Sequence, residues 1–182
     1  MSTTDFDKFV ARQQQAAAEV ADTDWDKERD EWLDHLNTLH TKIRSFLRKY
    51  VDSGQVKVET VQVILNEENI GLYEAPQMVL RIGGQHVVLK PVGTLFVGAK
   101  GRVDVEGPAG RAAILLVNKR AQSPASLVHV AVGTGGALPP APAMSPEKIE
   151  WEWKIVTRPP ERRFIEITQE SFFQLVMEVA NG

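Results

Sequence analysis

The chain contains no cysteine. That excludes disulfides, cysteine-built zinc and iron–sulfur sites, and thiol catalysis. It fits a reducing cytoplasm, which is the expected location. Aromatics make up 7% of 182 residues, so each of the few tryptophans needs a structural or functional account. No window approaches the roughly 18 uncharged apolar residues of a membrane-spanning helix. The opening MSTTDFDKFV carries acids and no apolar run, so it does not read as a secretory signal. Neither sign of charge dominates. The net charge is −3, and a broadly basic nucleic-acid surface is not expected.

What the chain does have is enough apolar material for a core. Hydrophobic residues are 43% and charged residues 25%, which argues for one folded unit and against disorder. Trp32, Leu36, Leu39, Ile43, Phe46 and Tyr50 are spaced 4, 3, 4, 3, 4 and predict one face of a long helix. Trp25 extends that stripe one heptad upstream. Thr23 with Asp26 reads as its N-cap region, and Asp52-Ser53-Gly54 as its stop. A shorter helix precedes it, with Phe6, Phe9, Val10 and Val20 on its apolar side and a break near Ala21-Asp22-Thr23.

From Val56 the period changes to two. Val56, Val58 and Thr60 share a face, which switches near Val61 to Val63 and Leu65. NEENIG, Gly83-Gly84, Ala99-Lys100-Gly101 and Gly107-Pro108-Ala109-Gly110 punctuate the following runs as turns. Further strands are expected at TLFVG, RVDVEG, RAAILLVN, SLVHVAV, WEWKIV and RFIEI, with a Gly/Pro/Ala loop over 133–146. Thr168 reads as the N-cap of a last helix. The expected fold is therefore α+β. An N-terminal helical arm over 1–54 packs on an antiparallel sheet of about seven or eight strands over 55–182, with room for the sheet to curl into a partial barrel, and a C-terminal helix closes the chain.

The stretch GTLFVGAKG invites comparison with a phosphate-binding loop. Its lysine comes one residue late, no hydroxyl follows it, and the next run alternates as a strand where the motif needs a helix. Asp104 and Glu106 share a strand face, and with Lys119 they would suit a metal-dependent hydrolase or nuclease. The acid that such a site needs two residues before Lys119 is instead Val117. Glu31 and His35 stand at i and i+4, a spacing that binds metal only with further ligands. Arg158, Arg162 and Arg163 cluster around Pro159-Pro160 and suit a carboxylate or phosphate partner.

No catalytic set converges, so no cofactor is expected and an enzyme is not the leading reading. The leading reading is a non-catalytic interaction protein, an oligomeric or accessory subunit. Its candidate contacts are Trp25, Trp32, Leu36, Leu39, Ile43, Trp151, Trp153, Arg158, Arg162 and Arg163. The alternatives are the hydrolase site above and a ligand-binding curled sheet with a pocket beneath the long helix.

Overall fold

The computed structural model describes residues 3–94, 98–125 and 149–181. The expected strand SLVHVAV with His129, the loop at 133–146, and Leu95, Phe96 and Val97 of the expected strand TLFVG lie outside these residues. Helix α1 runs over Thr3–Asp22 and α2 over Trp25–Asp52. The strands are β1 Val56–Glu67, β2 Gly71–Ile82, β3 Gln85–Gly93, β4 Ala99–Gly107, β5 Gly110–Asn118, β6 Trp151–Val156 and β7 Phe164–Glu166. Helix α3, Gln169–Asn181, follows. The seven strands form one antiparallel sheet in sequence order. β1 and β7 are its two edges, so among the described residues it is open and not a closed barrel.

Helices α2 and α3 cover the same face of this sheet and share its main core. Along α2 the stripe buries Trp32, Leu36, Leu39, Ile43 and Leu47 against inward residues of β2 to β6. Five such side chains contribute roughly 10 kcal/mol of gross hydrophobic stabilisation, most of it offset by chain entropy. The cap differs from the expected one. Asp24, one residue beyond Thr23, accepts from the Lys27 amide at 3.1 Å, because the Thr23 hydroxyl turns back to the Glu19 carbonyl and leaves the orphan amides of the first turn to the next side chain. Gly54 ends the helix in the left-handed region at φ 76°. On α3, Thr168 Oγ1 accepts from the Ser171 amide at 3.1 Å.

The β1–β2 hairpin turns its other face to the core halfway along. Val58, Met78 and Leu80 face inward near the helix side, whereas Leu65, Tyr73 and Ala75 do so in the distal half. Both strands switch together, at Pro76 opposite Gln62, with the pairing unbroken. The strong right-handed coiling of a two-stranded ribbon lets it wrap around the sheet. The distal outer face then leaves Ile64 and Leu72 exposed.

The far face of the sheet carries a smaller apolar patch of Ala99, Val117 and Phe164. Lys154, buried on this face, donates from Nζ to the carbonyls of Lys119 at 2.6 Å and Ala121 at 2.9 Å. Those bonds bring the segment after β5 over the patch, and the Phe164 amide adds a bond to the Gln122 carbonyl at 2.9 Å.

Candidate functional site

Helix α1 lies outside the core. From Thr4 to Asp22 every residue is exposed except Val10, which is half-buried. Phe6 and Phe9 keep 58% and 55% of their surface open, and their rings neighbour each other at 6.2 Å. Phe6, Phe9, Val10, Gln13, Ala17 and Val20 recur at helical spacing, so the open aromatics belong to one continuous stripe.

The elbow between α1 and α2 is tied by side chains. Thr23 Oγ1 donates to the Glu19 carbonyl at 2.7 Å, and Trp25 Nε1 donates to the Val20 carbonyl at 3.0 Å. These bonds satisfy two of the C-terminal carbonyls that a helix end leaves open, and they set the angle at which α1 leaves the body. Beside the elbow is a cleft of about 380 Å³, lined by Thr23, Trp25, Glu28, Thr94, Ala99, Lys100 and Trp151.

Lys100 owes its place there to a β-bulge. Ala99 pairs with Val117 and Gly101 with Leu116, which leaves Lys100 as the extra residue. A bulge re-aims the side chain it carries. Here Nζ meets the Glu31 carboxylate, lies 3.8 Å from Glu28, and sits 5.6 Å from the centre of the Trp151 ring. The Lys100 ammonium, donating to it, holds the Glu31 carboxyl below the usual carboxylate range. His35 is lowered by burial and by the Lys100 charge. The lysine of GAKG is therefore a structural cation in strand β4, and Ala99-Lys100-Gly101 are strand residues where a turn was expected. Gly101 has its own cause, since the Trp32 ring occupies the place of its Cβ.

A second polar knot closes the other side of this corner. The buried Glu67 carboxylate accepts from the Tyr73 hydroxyl, from the Thr94 amide at 2.9 Å and from Thr94 Oγ1 at 2.7 Å. Burial first, and the Glu67 carboxylate second, push the Tyr73 phenol up. The set ties the distal hairpin to the end of β3. All its members are mutually satisfied, which suits a strut more than a reactive group.

The structure separates the ten candidate contact residues. Trp32, Leu36, Leu39, Ile43 and Trp153 are buried in the chain's own core, and Trp153 Nε1 donates to the His35 carbonyl at 2.9 Å. The four helix residues are lost to the surface because the sheet beneath α2 covers their stripe, and Trp153 of β6 because α2 lies over it. Trp25 and Trp151 are half-buried at the elbow. Arg158 pairs with Glu178 at 3.8 Å and Arg163 with Glu161 at 2.6 Å, both exposed. Their charge is thus partly neutralised in place, while Arg162 is exposed nearby.

Asp104, Glu106 and Lys119 do not converge. Asp104 accepts from Arg102 Nε at 2.6 Å and Glu106 faces Arg111 at 3.7 Å. Lys119 lies six residues along from Ala113, the residue opposite Asp104, or roughly 20 Å at strand rise. It pairs with Glu150 at 3.3 Å. Among the described residues no cluster of three or more metal-ligating side chains occurs, and no helix is long and apolar enough to cross a membrane. No family model, curated protein or solved structure matches this chain.

Proposed function

We propose that this chain is a non-catalytic interaction subunit that docks on another protein chain through α1, in the reducing cytoplasm its composition suits. One observation carries the reading. The stripe of α1 has the spacing of a core helix, yet its phenylalanines are more than half exposed. Most of a helix's stability in a protein comes from packing its apolar face, and α2 in the same chain gains that cover from the sheet. The elbow bonds support the same reading, because an arm held at a fixed angle loses less freedom on docking. The cleft at the elbow extends the stripe with Trp25 and Trp151, residue types enriched in binding hot spots.

Phe6→Glu/Phe9→Glu tests this. Both side chains are exposed, so the melting temperature should move by no more than about 2 °C. In extract of its own cells the native chain should elute in a larger species, and the variant as a lone chain of 20.2 kDa. An unchanged elution position would remove the proposal.

A further inference from the structure

The geometry points to a second copy of this chain as the occupant of α1, with the two arms antiparallel. The inference rests on the docking reading above and names its partner. The stripe is graded in size, with Phe6, Phe9 and Val10 in the first half of α1 and Ala16, Ala17 and Val20 in the second. Parallel arms would crowd four phenylalanines at one end and hold the alanines apart at the other. Antiparallel arms set large against small along their shared length, roughly 20 Å in the register below, which gives the even packing that interfaces need. The arm joins the body at its Asp22 end, so antiparallel arms also keep the two bodies at opposite ends of the seam.

Charge selects a register. Arg12 and Glu19 are seven residues apart and lie on the same flank of the stripe. When Arg12 of each copy stands opposite Glu19 of the other, the twofold axis forms both pairs at once. In that register Phe6 passes the end of the opposing arm and reaches its elbow, where the 380 Å³ cleft opens between Trp25 and Trp151. A seam of two helices is narrow against the 1,200 Å² or so of a stable interface, and an aromatic seated in each cleft widens it. The arm carries four carboxylates against two cations, the opposite of what an anionic membrane surface selects.

The absence of native cysteine makes single cysteines clean reporters. In the register above, Ala17 lies about 5 Å along the axis from its copy, and Phe6 nearly 30 Å from its own. We expect the purified chain to scatter light at twice 20.2 kDa. Treatment with a short bifunctional maleimide should double the mass of Ala17→Cys on a denaturing gel and leave Phe6→Cys single. Doubling of Phe6→Cys as well would overturn the antiparallel pairing. A purified chain that stays monomeric overturns the second copy. If Phe6→Glu/Phe9→Glu still drops out of a larger species in extract, the docking arm then survives with a different partner. If it does not, both readings fall.

Discussion

Gly101→Ala should destabilise the fold, although a glycine in a strand is ordinarily a place to gain stability. The φ angle there is not positive, so alanine fits the backbone and would by itself contribute about 0.4–1 kcal/mol by restricting the unfolded chain. Against this stands the Trp32 ring. A Cβ at position 101 falls closer than 3.0 Å to ring carbons Cζ3 and Cε3. The ring has no room to retreat, being fully buried and backed by Trp153 with ring centres 5.8 Å apart. Overpacking of this kind costs about 1–3 kcal/mol, and a ring with no retreat puts this case in the upper half of that range. The net expectation is a loss of about 1–2 kcal/mol, or a melting temperature lower by roughly 2–8 °C. Urea unfolding at 25 °C of the single variants and of Gly101→Ala/Trp32→Phe completes a double-mutant cycle. Alanine should cost at least about 1 kcal/mol less once the indole is gone. A neutral or stabilising Gly101→Ala, or an equal cost in both backgrounds, would refute the role given to Trp32.

His40 makes the stability pH-dependent. Burial, with help from the Arg44 charge, lowers its imidazole to about 4, so as the pH falls below 6.5 the unfolded chain takes up the proton first. Its contribution is present above pH 6.5 and is lost as the pH approaches 4, roughly 3 kcal/mol in all. His35, also lowered, adds to the same window. Glu31, a carboxyl held down by Lys100, loses its contribution only below its unfolded value near 4.5. His40→Leu should therefore flatten the urea-derived stability between pH 7 and 5 without abolishing the slope; an unchanged slope would contradict the assignment. Glu67→Ala leaves the Tyr73 hydroxyl and both Thr94 donors facing a void and should cost about 3 kcal/mol or more. Tyr73→Phe removes one bond to a charged acceptor that keeps its Thr94 donors and should cost about 1.5–2 kcal/mol, and the reverse order in urea unfolding would show that Glu67 is not the centre of the knot.

Periodicity made much of this fold legible. The 4-3-4-3-4 stripe located α2, the Gly83-Gly84 pair located the β2–β3 hairpin, and the face switch near Val61 showed in the alternation. Each is a local pattern whose cause lies within a few residues. Lys100 and Glu67 were illegible for the opposite reason. GAKG reads as a turn because a bulge depends on the register of the neighbouring strand. Glu67 reads as a turn acid because its partner Thr94 lies 27 residues away. The two amphipathic helices teach a further lesson. A stripe reveals a face and not its occupant, so Trp32 and Phe6 read alike in sequence, yet one lies in the core and the other in solvent.

Amide hydrogen exchange across a dilution series tests the central claim that α1 serves association and α2 serves the fold. The amides of Leu36, Leu39 and Ile43 should keep the same protection at every concentration. Those of Phe9 to Val20 should be protected at high concentration and exchange rapidly once the copies separate. Equal protection of α1 at the lowest concentration would mean that the arm is held by its own body, and would contradict the account.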